Sequence, residues 1–145
     1  MTFITPKTPK SDECIFCTQP AAQRDDEHHI IYRGELCYIM LNLYPYNNGH
    51  LMVAPYRHVG SISQLDPATL AELMAQAQLA LSALRLTMNP DGFNMGINEG
   101  KVAGAGFAEH TNFHIVPRWH GDTNFMPVVA DIKVIPEHLD AVYRQ

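Results

Sequence analysis

Apolar positions recur along this chain in two periods. Ile30-Ile31-Tyr32 and Cys37-Tyr38-Ile39-Met40-Leu41 are short apolar runs separated by the turn-forming Arg33-Gly34-Glu35, which predicts a hairpin of two strands. Leu51-Met52-Val53 reads as a third strand, reached through the loop Tyr44-Pro45-Tyr46-Asn47-Asn48-Gly49, whose Pro, Asn and Gly form turns. Further extended pieces are predicted over 92–97, 113–116 and 131–135. One stretch has the other period. Asp66 caps a helix whose first position is Pro67, and Leu70, Leu73, Met74, Ala77, Leu81 and Leu84 follow at helical spacing. That helix should end near Met88, ahead of Pro90, with its Leu and Met residues in the core. A second, short helix is expected from Pro136. Strands joined by short turns, with one long and one short helix packed on them, give an α+β fold built on an antiparallel sheet.

Composition narrows the classes. A length of 145 residues suits one domain, and no repeat or Gly/Ser/Pro-rich linker divides it, so a single domain over 13–145 is expected behind a disordered tail of residues 1–12. Hydrophobic residues make up 46% and charged residues 17%, and no apolar run nears the roughly 20 residues of a membrane span, so no membrane partner is expected. The first eleven residues carry Lys7 and Lys10 but no apolar stretch of the kind a secretory signal needs, which places the expectation in the cytoplasm. A formal charge of −5 argues against broad nucleic-acid binding, which depends on neutralising many phosphates, but leaves room for a small phosphate ligand. Three cysteines make no even disulfide framework. Cys14-Ile15-Phe16-Cys17 instead has the two-residue gap at which paired thiolates grip one Zn²⁺, and alone it is half a site. A redox pair would sit in a thioredoxin-like unit, which the pattern lacks, and two reduced thiols packed as small apolar groups are the plain alternative.

Between Glu109 and Trp119 polar and apolar residues alternate until Pro117, as expected of a strand that stops there. His110, Asn112 and His114 then project from one face, and Thr111, Phe113 and Ile115 from the other, toward the core. Two imidazoles and an amide on one face suit a metal at one end and a phosphate at the other, or simply a polar sheet surface.

His110-Thr111-Asn112-Phe113-His114-Ile115-Val116 resembles the histidine-triad signature, His-x-His-x-His followed by two apolar residues, and Pro117-Arg118-Trp119 continues it as in the bacterial diadenosine tetraphosphate phosphorylase-like branch. Leu43-Tyr44-Pro45-Tyr46-Asn47, Gly49-His50-Leu51-Met52-Val53, Pro55-Tyr56-Arg57-His58, Gly92-Phe93-Asn94, Gly121-Asp122 and Asn124-Phe125 resemble other blocks of that branch, in order. The resemblance runs from Cys14 to about Pro136. It implies a nucleotidyl hydrolase or phosphorylase of dinucleoside polyphosphates, working as a homodimer on a small nucleotide.

The family's middle histidine attacks the α-phosphorus and carries the nucleotidyl group as a phosphoramidate until water or phosphate removes it. Here that position is Asn112. A neutral imidazole has a lone pair to give, whereas an amide nitrogen's is delocalised into its carbonyl. Asn112 can donate hydrogen bonds to a phosphate but cannot form the intermediate. A natural loss of catalysis, an engineered change and a recruited nucleophile would each explain it. Thr111 also departs from the apolar residue expected there, which favours a natural protein, and His120 is the nearby histidine a recruited route would use. Two other functions stand beside the enzyme reading: a nucleotide-binding sensor or regulatory module without turnover, and a zinc-stabilised interaction protein.

The resemblance also supplies roles. Zinc would be held by Cys14, Cys17, His58 and His110, a Cys₂His₂ set with no open position and so a structural one. No organic cofactor is expected. Asn42 would hydrogen-bond the ribose, His50 lies near the triad, and Asn98, Lys101, Gly104 and Gly106 belong to a phosphate loop in which small residues let backbone N–H groups approach oxygens. Asn112 and His114 would meet the phosphate, although a histidine at 114 satisfied by a backbone carbonyl is the ordinary alternative. Arg118 is read either as a substrate contact or as a surface ion pair. His28, His29 and His138, in polar surroundings, are expected in solvent.

Overall fold

A computed structural model describes residues 13–42, 48–106 and 108–122. Its sheet has five strands: β1 (Ile30–Arg33), β2 (Cys37–Leu41), β3 (Leu51–Pro55), β4 (Gly92–Gly96) and β5 (Phe113–Arg118). They run antiparallel in the order β1-β2-β3-β5-β4. The helices are α1 (Ile15–Ala22), α2 (Asp25–His28) and α3 (Pro67–Met88). The predicted tail, the strand over 131–135 and the helix from Pro136 lie outside the described residues.

β2 and β3 are buried at every position because both faces of the sheet are covered. Their period of two divides the side chains between two cores. Cys37, Ile39, Leu41, Leu51, Val53 and Ile115 pack with Leu73, Ala77, Ala80 and Leu84 of α3. Tyr38, Met40, Met52 and Ala54 face the other way and pack with Cys14, Phe16 and Ile30. Cross-strand register carries that second row onward. Met40 pairs with Met52 and Met52 with His114, so His114 joins the α1 face and not the α3 face.

α3 forms where its caps and apolar stripe say it should. Asp66 Oδ2 accepts from Thr69 N at 3.2 Å, Pro67 opens the helix, and Asn89 closes it in the left-handed region at φ 50°. The expectation that all its Leu and Met residues are core is corrected: Met74, Leu79 and Leu86 lie on the outward side of a helix that touches the sheet along one stripe only, and Leu86 is 88% exposed. Glu72 and Gln76 of α3 grip the β1–β2 turn. Glu72 Oε2 accepts from Leu36 N and Cys37 N at 2.8 and 2.9 Å, and Gln76 Nε2 donates to Cys37 O at 2.9 Å.

Two strand expectations also change. β5 starts only at Phe113, so residues 110–112 precede it, held by Thr111 N donating to Val59 O at 2.7 Å. β5 then runs through Pro117 and does not stop there. Among the described residues β3 pairs with 113–115 and β4 with 114–118, so Pro117 sits where pairing with β3 has ended, a position that tolerates a proline that cannot donate. The N-terminal helices α1 and α2 were not expected. α1 contains Pro20 and shows no apolar stripe; Arg33 ties both helices to β1, donating to Pro20 O at 2.7 Å and pairing with Asp25 at 2.7 Å.

Candidate functional site

Four electron-pair donors converge under the start of α1. Cys14 is the helix N-cap residue and Cys17 lies in its first turn; His58 follows β3 and His110 precedes β5. One ligand atom from each lies within 4.8 Å of all the others. His58 Nδ1 and His110 Nδ1 are 3.2 Å apart, and sulfur to Nδ1 distances are 3.4 Å for Cys14–His110 and 3.5 Å for both Cys17–His58 and Cys17–His110. A tetrahedral ion with Zn–N near 2.05 Å and Zn–S near 2.3 Å needs edges of about 3.3 Å between nitrogens and about 3.6 Å between sulfur and nitrogen. The spacing fits.

The tautomer fits as well. His110 Nε2 lies 2.8 Å from Pro55 O, an acceptor only, so its proton sits there and the Nδ1 lone pair faces the thiols. Burial, with Pro55 opposing it and His58 adding to it, pulls His110 down to about 4 and keeps it a neutral ligand. Burial, then the neighbouring Cys14, pushes the Cys17 thiol up to about 11, as happens when two thiols close on each other without a cation between them.

Beside the cluster a cavity of about 580 Å³ opens on the α1 face of the sheet, within the range of small-ligand sites. Its apolar wall is Ile15, Phe16, Met40, Leu41 and Met52. Its polar side holds Asn42, Asn98, Asn112 and His114, with Gly104 and Gly106 of the loop before β5. Behind His114 lies His50, completely buried, its Nε2 2.9 Å from His114 Nδ1. Asn42 Nδ2 approaches the two ring nitrogens of His50 at 3.2 and 3.3 Å. Burial lowers His114 to about 4; burial and then His114 hold His50 well below the ordinary imidazole value. The pair is therefore neutral at pH 7. Asn112 Nδ2 donates to His110 O at 3.1 Å, while its Oδ1 is buried with no hydrogen-bond partner.

Residues 23–121, two thirds of the chain, match the HIT domain family. The chain belongs to that family. Its described relatives include the AP-4-A phosphorylase of Mycobacterium tuberculosis, 49% identical over 115 residues that make up 79% of this chain and 59% of the relative. This HIT domain thus spans less than two thirds of that relative's length. The bis(5'-adenosyl)-triphosphatase of Dictyostelium discoideum is 34% identical over 63% of this chain and 61% of its own. A crystal structure of a Zn-bound histidine triad family protein from Mycobacterium smegmatis superposes with TM-score 0.73 and 28% identity, covering 92% of each chain.

In this HIT domain the predicted residues divide between the two centres. Cys14, Cys17, His58 and His110 form the cluster. Asn42, Asn98, Gly104, Gly106, Asn112 and His114 line the cavity, and two expected ligand residues do not. His50, just before β3, is completely buried with its ring against His114, and Lys101 is exposed in a short 3₁₀ turn outside the lining. His110 serves the cluster, lies outside the cavity lining, and touches it through its carbonyl, which accepts from Asn112. Asn112, expected to offer its amide to a phosphate, already commits one N–H to His110 O. Arg118 resolves as a surface ion pair, 3.3 Å from Asp122 and 2.6 Å from Asn94 Oδ1. His120 is exposed, its backbone N–H on Asp91, outside the cavity lining.

His28 and His29 are corrected too: both are half-buried and line the cavity with Gln19 and Glu27. His29 ends α2 at φ 59°, a left-handed cap that turns the chain into β1. Sequence reasoning missed this rim because α1 and α2 carry no apolar stripe. The signal for Met40 and Met52 was present in the alternation, since both share the face of His114.

Proposed function

We propose that this HIT domain binds a nucleoside 5′-phosphate or dinucleoside polyphosphate in the cavity and, descended from nucleotidyl hydrolases and phosphorylases, turns it over weakly or not at all. One observation carries the reading: Asn112 and His114 both face the cavity, and position 112 carries an amide. In the family route a nitrogen lone pair forms a bond to the α-phosphorus, the P–O bond to the rest of the polyphosphate breaks, and the leaving oxygen takes a proton; water or phosphate then displaces the enzyme nitrogen. Asn112 has no such lone pair.

Binding groups remain. With Asn42 Nδ2 donating to His50 Nδ1, neutral His50 carries its proton on Nε2 and gives it to His114 Nδ1, which leaves His114 an N–H at Nε2 suited to a phosphate or leaving-group oxygen. The glycines at 104 and 106 let backbone approach the ligand. The apolar wall suits a base.

The deciding assay sets the unmodified chain beside its Asn112→His variant on diadenosine tetraphosphate, with and without phosphate and at matched zinc content. Turnover by the variant alone is expected. Comparable turnover by the unmodified chain overturns the reading and moves the search for a nucleophile to His114 or His120. Nucleotide binding without cleavage makes the unmodified chain a sensor or regulatory module, a role the same amide favours. Calorimetry with AMP separates both from an interaction protein with a vestigial pocket.

The ion we assign to the cluster is zinc, on the donor set and its spacing, and one equivalent is expected by metal analysis of purified protein. When bound it supplies a structural cross-link between the N-terminal helix and the sheet. We also assign a homodimer. Among the described residues β4 is an edge strand without a charged residue, Met95 on it is 51% exposed, and Leu79 and Leu86 of α3 are exposed as well. A monomer by light scattering overturns that assignment.

A further inference from the structure

We propose that metal occupancy of the Cys₂His₂ cluster sets the nucleotide affinity of the cavity, and that Phe16 is the joint between the two. The inference rests on the nucleotide reading of the cavity and adds its regulation.

Two physical connections join the centres. The first is the opening turn of α1. Cys14 and Cys17 face the cluster, and Phe16, lodged between them and 4% exposed, packs against the His110 ring with centroids 5.3 Å apart. Phe16 also lines the cavity, flanked by Ile15 and Gln19 of the same helix. The second is residues 110–112: His110 holds its ring against Pro55 O and the cluster, and its carbonyl accepts from Asn112, which faces the ligand.

α1 has little of its own to hold its shape. It is eight residues long, contains Pro20, has no acidic residue in its first turn, and its N-cap residue makes no side-chain capping bond. A helix this short is unstable alone, so its order comes from what it is attached to. Tyr38 Oη donating to Phe16 O at 2.8 Å and Arg33 donating to Pro20 O hold one point of its first turn and its end. Beside that bond and the packing of Phe16, the two cysteines on either side of Phe16 are what tie the first turn, part of the cavity wall, to the cluster. An ion drawing four donors together fixes that wall and the His110 ring before the nucleotide arrives; without it the nucleotide must order them, and binding weakens by that cost. Linkage makes the effect reciprocal: nucleotide raises metal affinity by the same factor.

The test measures AMP binding by calorimetry to zinc-loaded and chelator-stripped protein, with circular dichroism on both. At least fivefold tighter binding to the loaded form is expected, the lower end of common couplings. Equal affinities in two folded forms overturn the proposal. If the stripped chain unfolds, the reciprocal arm is read in a stabilising osmolyte in which circular dichroism shows the stripped chain folded: zinc affinity by chelator competition, with and without saturating AMP, should rise by at least fivefold, and no change overturns the coupling. Phe16→Leu, which keeps apolar bulk but loses the ring contact, should retain one equivalent of zinc and lose most of the coupling; undiminished coupling removes Phe16 from the argument. Failure of AMP to bind the zinc-loaded protein at all overturns the nucleotide reading itself, an outcome distinct from binding without coupling.

Discussion

On one face of the sheet Ile39, Leu41, Val53 and Ile115 meet Leu73, Ala77, Ala80 and Leu84 of α3, while on the other the meeting groups include two thiols, four imidazoles and an amide around a cavity. The α3 face is held by burial of apolar area, which has no direction and tolerates exchange of one hydrophobic residue for another of similar volume. The α1 face joins a smaller apolar core to directed polar contacts. Each of those polar groups is costly if left unpaired in the interior, so part of this face's stability depends on its partners. The difference predicts that perturbing a donor on the α1 face propagates to the ligand site, whereas perturbing a side chain on the α3 face changes stability alone.

The largest effect should come from removing the metal. Four donors, Cys14 and His110 buried and Cys17 and His58 half-buried, would then face one another with no cation, and the cross-link from α1 to the sheet would be lost. Structural zinc contributes about 10 kcal/mol or more in peptides that fold only around it. This domain has a second core, so a loss of about 5 kcal/mol and a fall in Tm of about 10–20 °C are expected on chelation, read by calorimetry. A Tm unchanged by chelator would show the α1 face to be self-sufficient and would end the contrast between the faces.

Leu73→Ala probes the other face at comparable depth. Leu73 is 1% exposed in the α3 core, and truncating a buried leucine costs about 2–5 kcal/mol through lost burial and the cavity left behind. The contrast predicts this loss with AMP affinity and zinc content unchanged. A drop in AMP affinity at temperatures where the variant is fully folded would mean that the two faces are not separable.

Acid should act on the α1 face next. His114 is held down to about 4 by burial, and His50 is depressed in the same direction by burial and by His114. Between the ordinary imidazole value of about 6.5 and 4 the unfolded chain therefore binds protons that the folded chain refuses. Stability is full above pH 6.5 and falls as pH drops through that window, by up to about 1.4 kcal/mol per pH unit for each histidine. Because acid also releases metal, the reading is the difference between the unmodified chain and His114→Asn, which leaves the cluster intact. The variant should show the shallower slope; identical slopes would remove His114 from the acid response.

The same division governs what the sequence discloses. The apolar spacing from Leu70 to Leu84 and the Asp66-Pro67 start define α3, and the unbroken runs at 37–41 and 51–53 define two strands covered on both sides, because non-directional burial leaves a periodic trace. Cys14 and Cys17 are visible as half a metal site from their spacing, and His58 and His110 only through the family resemblance, since nothing local brings residues 41 and 93 positions apart together. α1 and α2 leave no periodic trace: their order depends on the cluster and on Arg33, both contacts made by folding. Lys101 and His50 are where motif position says least. A 3₁₀ turn exposes Lys101 outside the cavity lining, and His50 is buried against His114, near the triad as expected but one residue removed from the cavity.

The smallest effect tests the stripe on α3 itself. Leu86 shares the helix and residue type of Leu73, yet it is 88% exposed because it lies two residues past Leu84, about 200° around the helix from the core-facing line. Substituting an exposed leucine away from any contact changes stability by less than about 0.5 kcal/mol. Leu86→Ala should therefore leave the dilute-solution Tm unchanged while Leu73→Ala lowers it by several degrees. Thermal melts over a range of protein concentrations sharpen the result. A loss at Leu86 that grows with concentration would place this residue in the subunit contact, since only an assembled form gains stability by mass action. A loss independent of concentration would mean that α3 buries more than one stripe within a single chain, and the sharp separation of a packed face from a bare one would have to be redrawn.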